Sequence, residues 1–152
     1  MVPGIDPKVD YIFKRLFGRE QNRALLIHLL NSALKPARGR DVSDVLLLNP
    51  FNEKETFDDK LSVVDIKARD TSGRQFNIEM QMFAVRFFPK RVLYYWSRLH
   101  QEQLREGEDY ASLRPTVSIS FVNGTLFPGL ADYHLVFRLL DGEHGVTFTD
   151  DL

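Results

Sequence analysis

The chain of 152 residues has no cysteine, a single tryptophan and no long apolar run. The absence of cysteine excludes disulfide frameworks, thiolate zinc sites and thiol nucleophiles. No stretch approaches the roughly 18 consecutive apolar residues that a membrane-spanning helix needs. The opening residues, MVPGIDPKVD, have neither the basic start nor the apolar centre of a secretory leader. The sequence therefore favours one globular domain over residues 1–152, inside the cell and with no membrane partner.

The charged side chains are unevenly distributed, although the formal net charge is only -1. Residues 1–100 carry 17 basic and 12 acidic side chains, whereas residues 101–152 carry 3 basic and 9 acidic ones. A polyanion would therefore be attracted to the first part of the chain. Many neutral enzymes show a comparable segregation, so charge alone does not separate nucleic-acid binding from other functions.

Three segments of the sequence predict helices. Apolar residues at helical spacing predict a first helix up to residue 17, which Asp6 caps and Gly18 ends. A leucine-rich segment over residues 20–34 predicts a second helix that stops before a proline. Pro89 suits the first turn of a third helix, which we expect to run to residue 106.

The strand predictions complete a mixed α/β sheet flanked by helices. A period of two over residues 61–69 and 75–83 predicts a hairpin around the turn Asp70–Gly73. Further strands are predicted over residues 45–48, 116–122 and 133–140, the last of them closing onto residues 146–149.

The hairpin carries two acids that can face each other. A three-residue loop over residues 71–73 places Asp65 directly opposite Glu79, with their Cβ atoms about 5 Å apart on one face of the sheet. Lys67 and Gln81 share this face. A two-residue loop would shift the register by one and separate the acids.

Opposed carboxylates repel each other, so a compensating positive charge is expected. Mg²⁺ is one candidate, because it is usually held by one or two carboxylates together with water and a substrate phosphate. The alternative is a solvated face on which Lys60 and Lys67 neutralise the acids. The spacing alone leaves both interpretations open.

The hairpin also carries a resemblance to a known family. Residues 60–81, KLSVVDIKARDTSGRQFNIEMQ, resemble the core of the PD-(D/E)XK nuclease family transposases, also called recombination-promoting nucleases. Residues 10–18, DYIFKRLFG, and residues 93–98, LYYWSR, resemble the same family. The resemblance implies a restriction-endonuclease-like fold and metal-dependent cleavage of DNA by a cytoplasmic or nucleoid-associated protein.

The resemblance implies a set of metal ligands and catalytic residues. Asp65 matches the first metal-binding acid of the family and Glu79 the second, with the backbone carbonyl of Met80 as a further ligand. The implied metal is Mg²⁺, with Mn²⁺ as a substitute. Gln81 stands where the superfamily most often has lysine, a change that is common in this family, and could orient the attacking water. Asp10 matches an outer-sphere acid.

Several of these side chains have a second interpretation. Asp10 can instead serve the dipole of the first helix. Lys67 can form a salt bridge with Asp65 or offset negative charge on a phosphate. A group of basic residues can contact DNA phosphates or simply form a solvated surface, namely Lys60, Arg69, Arg86, Lys90, Arg91 and Arg98.

The leading hypothesis is a DNA endonuclease. The alternative is a catalytically inactive DNA-binding or protein-interaction module that keeps the nuclease fold. The final residues, FTDDL, have neither a helix nor a polar tail, so we expect the natural chain to continue beyond Leu152. A continuation of this kind could supply a missing element such as the contact surface of a homodimer.

Overall fold

The computed structural model of the chain describes residues 6–37, 39–50, 65–82 and 86–149. These residues contain three α-helices and four strands. They are α1 (Asp10–Phe17), α2 (Arg23–Leu34), β1 (Val45–Leu47), β2 (Ile66–Asp70), β3 (Gln75–Gln81), α3 (Phe88–Gln101) and β4 (Thr116–Val122).

The four strands form one mixed sheet in the order β1-β2-β3-β4. β1, β2 and β3 pair antiparallel, whereas β4 lies parallel to β3 after the crossover through α3. A parallel neighbour requires such a crossover, because a short turn can only return the chain antiparallel. The predicted fold class, a mixed sheet flanked by helices, is confirmed.

The hairpin between β2 and β3 has the register that a three-residue loop requires. Lys67 pairs with Asn77, and Ala68 pairs with Phe76. Of the two loops that the sequence left open, the turn adopts the three-residue one: Asp70 N donates to the carbonyl oxygen of Arg74 at 3.0 Å. Gly73 adopts a φ of +90°, which a residue with a side chain rarely adopts.

The two faces of the sheet differ in what covers them. Ile66, Phe76 and Ile78 are fully buried on one face, where they pack with Phe13 of α1 and with two leucines of α2. The other face is polar, and α3 covers it. Trp96 of α3 anchors this helix, since its Nε1 donates to the carbonyl oxygen of Thr116 at 2.9 Å.

Several predicted element boundaries were wrong. Asp6 does not cap α1: its carboxylate accepts from the backbone N of Lys8 at 2.9 Å, in a turn that precedes the helix. Residues 20–22 form a separate 3-10 turn before α2, and α3 ends at Gln101 rather than at residue 106.

The predicted strand over residues 133–140 is absent. Tyr133 is 97% exposed and Phe137 is 71% exposed. A strand forms only where its backbone finds a partner. In the part of the chain that the structure describes, the only bridge of this segment joins Leu140 to Thr147. The start of the predicted strand 61–69 lies outside the described residues, as do residues 51–60 before it.

Candidate active site

Asp65 and Glu79 lie opposite each other at one end of the hairpin. Asp65 directly precedes β2, and the register of β2 with β3, continued by one residue, brings it opposite Glu79. Burial raises the pKa of Asp65 to about 6, and the negative charge of Glu79 contributes to the rise. Three cations oppose this rise, those of Arg91, Lys67 and Lys14. The two predicted metal ligands therefore interact electrostatically.

The carboxylate of Glu79 is buried and hydrogen-bonded at both oxygens. Glu79 as a whole is only 5% exposed to solvent. Ser120 of β4 donates its hydroxyl to Oε1 at 2.9 Å, and Nη2 of Arg91 lies 3.2 Å from Oε2. A buried carboxylate needs such partners, because its desolvation is otherwise costly. Ser120 and Arg91 thus hold Glu79 in place.

Gln81 is linked to the same guanidinium. Nη2 of Arg91 donates to the side-chain oxygen of Gln81 as well as to Glu79. The side chain of the intervening Met80 packs against the apolar core, so only its backbone is available to the site. One nitrogen of Arg91 therefore fixes both the acid and the amide of the E-x-Q pattern.

Two residues of α1 also approach this group. Burial raises the pKa of Asp10, a backbone hydrogen bond lowers it, and so does the charge of Arg91. Asp10 Oδ1 is buried and has no hydrogen-bond partner among the described residues. Lys14 is 5% exposed, and its charge acts on Asp65. Asp10 is therefore close enough to the site to interact with it, rather than being only a surface charge of the helix.

Lys67 takes a different position from the one expected of an Asp65 salt bridge. Its ammonium lies 3.4 Å from Glu102 Oε2, beyond the end of α3, although its charge also lowers the pKa of Asp65. Lys60, the other lysine expected to neutralise the acids, lies outside the described residues. Among the described cations, Arg91 is the one in contact with Glu79.

The sequence did not identify three of the neighbouring side chains in these roles. The sequence does not single out Ser120 or Lys14, and it interprets Arg91 as a phosphate contact or as part of a solvated surface. The alternation of Thr116, Ser118 and Ser120 was a signal for a polar face on β4. The parallel pairing of Glu79 with Ser120 depends on the crossover, which periodicity along one strand does not reveal.

The donors of this site suit a hard divalent cation. Carboxylates, an amide oxygen and backbone carbonyls are the ligands that Mg²⁺ prefers, and Mg²⁺ commonly keeps several waters. Within the described ranges, no group of three or more His, Asp or Glu residues converges as a ready-made metal cage. The donor chemistry of the site is therefore compatible with such a cation, and Asp65 and Glu79 are the residues that would hold it.

Comparison with known proteins agrees with this geometry. Neither a curated protein nor a solved structure matches the chain. None of the helices in the described part of the chain combines the length and apolar character of a membrane span. The model of one family matches residues 7–152, which includes the hairpin, α3 and β4. The resemblance predicted from the hairpin is thus confirmed, and the chain belongs to the PD-(D/E)XK nuclease family transposases.

Proposed function

We propose that the protein is a metal-dependent DNA endonuclease that hydrolyses phosphodiester bonds, with Mg²⁺ as its metal and Mn²⁺ as a substitute. The observation that carries the proposal is the opposed pair of Asp65 and Glu79, which the hairpin register brings together and in which the charge of Glu79 helps to raise the pKa of Asp65. Like charges held this close destabilise a sheet unless a cation offsets them. Because the chain belongs to a nuclease family, we interpret this arrangement as a metal site for phosphodiester hydrolysis.

A divalent cation held by the two carboxylates would lower the pKa of a water molecule and stabilise the charge that builds on the scissile phosphate. In the hydrolysis, the water oxygen bonds to phosphorus, one ester P–O bond breaks, and the leaving oxygen takes a proton. Gln81 can orient the attacking water through its amide group. Ser120 keeps the Glu79 carboxylate in a fixed orientation.

The proposed partner is DNA bound through its phosphates. Arg86 and Lys90 are exposed at the start of α3, close in sequence to Arg91, which contacts the acids. Contacts of this kind position a duplex without reading its sequence. We propose a single nuclease domain over residues 1–152, which acts in the cytoplasm or at the nucleoid and can work as a homodimer.

A plasmid assay tests this function. Supercoiled plasmid is incubated with the wild type, with Asp65→Ala and with Glu79→Ala, in Mg²⁺, in Mn²⁺ and in EDTA. We expect nicking by the wild type only with metal, and loss of nicking in both variants. Asp109→Ala is the matched control, since Asp109 is an exposed acid that accepts a backbone hydrogen bond at 2.9 Å in a turn after α3.

The outcomes separate the two leading hypotheses. Equal nicking by all proteins would show that the acids are not the site. A folded wild type that binds plasmid and does not nick it under any of these conditions would favour the catalytically inactive module. Crystals soaked in Mn²⁺ provide an independent test, because anomalous scattering beside Asp65 and Glu79 would locate the metal directly.

A further inference from the structure

Arg91 interacts with all three acids of the site and with Gln81. Its Nη2 contacts the side chains of both Glu79 and Gln81. Its charge also lowers the pKa of Asp10 and of Asp65. One guanidinium on α3 therefore interacts with acids from α1, from the residue before β2, and from β3. This position corresponds to that of a counter-ion to the acids.

Arg91 also has donors that these contacts do not use. A guanidinium carries five N–H groups in a rigid planar arrangement that matches the oxygens of a phosphate. The two contacts to Glu79 and Gln81 both use Nη2. Nε of Arg91 is buried and has no hydrogen-bond partner in the described part of the chain. A buried N–H without a partner is costly, so a ligand that accepts from it would be favoured.

We propose that Arg91 is a further catalytic residue of this site. In the structure it is the counter-ion of Glu79. When metal and DNA are bound, its remaining N–H groups donate to the scissile phosphate and offset the negative charge that develops there. This role depends on the proposed nuclease function, because it requires a phosphodiester at the acids. Lys67 is less suited to the role, since its ammonium is directed to Glu102.

The two parts of this role have opposite effects when Arg91 is removed. Loss of a cation beside Asp65 and Glu79 leaves more negative charge for a metal, so the affinity for Mn²⁺ should rise. Loss of a donor to the phosphate should lower the rate of cleavage. A residue that only maintained the structure would weaken both metal binding and cleavage when replaced.

The experiment measures both quantities on the same proteins. Calorimetry without DNA gives the Mn²⁺ affinity, and plasmid nicking gives kcat and KM. For Arg91→Ala we expect Mn²⁺ to bind about 5- to 10-fold more tightly. We expect kcat to fall by about 100-fold or more, the usual loss for one donor to a developing charge. Arg91→Lys keeps the positive charge but lacks the planar set of N–H donors. Its Mn²⁺ affinity should therefore stay near that of the wild type, and its kcat should lie between those of the wild type and Arg91→Ala.

Arg23 provides a matched control. Its Nε lies 3.2 Å from Asp44 Oδ1, the same separation as in the Arg91 ion pair, and it belongs to α2 rather than to the site. Arg23→Ala should leave both the Mn²⁺ affinity and kcat unchanged. This comparison separates the loss of a salt bridge in general from the loss of the Arg91 charge.

A rescue variant tests whether the positive charge is what Arg91→Ala loses, whereas Arg91→Lys covers the case in which Arg91→Ala folds poorly. Because Arg91 contacts the side chain of Gln81, a lysine at position 81 would return a cation to the same group of side chains. We expect Gln81→Lys combined with Arg91→Ala to recover at least about tenfold in kcat over Arg91→Ala, since the positive charge is restored.

The readouts distinguish failure of this inference from failure of the nuclease function. A wild type that neither binds Mn²⁺ nor nicks DNA would overturn both. A wild type that nicks DNA, with Arg91→Ala equally active or with weaker Mn²⁺ binding in Arg91→Ala, would overturn the role of Arg91 alone. Tighter Mn²⁺ binding together with a lower kcat would support it.

Discussion

The carboxyl group of Asp65 holds its proton to a higher pH in the folded chain than in the unfolded chain. Burial, with the charge of Glu79, raises its pKa to about 6 from an ordinary value of 3.8. Below its ordinary pKa, Asp65 is protonated in both the folded and the unfolded chain, and its contribution to the free energy of unfolding is at its largest. It is lost as the pH rises through about 6, because the folded chain must then hold a partly buried charge.

Asp65→Asn should therefore remove part of the pH dependence of stability. In EDTA, we expect the wild type to lose about 1–2 kcal/mol more than Asp65→Asn between about pH 4.5 and pH 7.5, after allowance for partial exposure of the group. Urea unfolding at several pH values provides the measurement. Identical pH profiles of the two proteins would show that Asp65 titrates normally.

Ser120 and Ser118 form a matched pair on the same face of β4. Ser120 donates to Glu79 Oε1 at 2.9 Å, whereas the buried hydroxyl of Ser118 has no partner among the described residues. Ser120→Ala should cost about 1.5–3 kcal/mol, because it removes a hydrogen bond to a buried charge. Ser118→Ala should be nearly neutral. Urea unfolding would contradict this prediction if the two variants lost equal stability.

The hairpin turn is the element that sets the register of the acids. Asp70 Oδ1 accepts from Ser72 N and from Arg74 N, each at 2.9 Å, and Oδ2 accepts from Arg74 Nε at 2.6 Å. The Asp70 side chain is only 2% exposed. Gly73 is constrained as well, because a Cβ atom there would lie 2.9 Å from Arg114 Cγ. Local chemistry thus fixes a three-residue loop.

Asp70→Ala should consequently destabilise the protein by about 3 kcal/mol, since it leaves buried donors and a cation without their acceptor. It should also weaken Mn²⁺ binding, because the position of Asp65 opposite Glu79 depends on this turn. Urea unfolding and calorimetry measure the two effects. As a comparison, Asp109→Ala removes an acid from an exposed turn and should cost less than about 1 kcal/mol. Equal losses in the two variants would contradict the role of the turn.

At the scale of the whole molecule, the uneven charge distribution should govern DNA binding. If about four phosphates are contacted, the affinity for a random duplex should fall about 100-fold between roughly 50 and 200 mM salt. Fluorescence anisotropy in EDTA measures binding without cleavage. Lys90→Ala should reduce the salt slope by about one, as expected for one lost phosphate contact.

Arg138 provides the comparison for this measurement, because it is an exposed arginine in the acidic final part of the chain. Arg138→Ala should leave the salt slope unchanged. An affinity that does not depend on salt would contradict binding through phosphates.

The sequence predicted the elements whose formation depends on neighbouring residues. The alternation in β2 and β3 and the turn at Asp70–Gly73 predicted the hairpin and narrowed its register to two alternatives, and the helical spacing predicted three helices. It failed for residues 133–140, because alternation shows that a segment can be a strand but not that a partner is present. The prediction that Asp6 caps α1 was also wrong, because its carboxylate accepts from the backbone N of Lys8 in a turn before the helix.

The sequence by itself therefore determined that residues 61–83 form a hairpin and that its two acids face each other if the loop has three residues; the structure shows that it has. Only the tertiary structure decided which groups surround them. Arg91 lies 12 residues from Glu79 in sequence, and Ser120 lies 41 residues from it. The packing of α3 and the parallel placement of β4 bring both to one carboxylate. Contacts between distant elements depend on how whole faces bury each other, which no local pattern encodes.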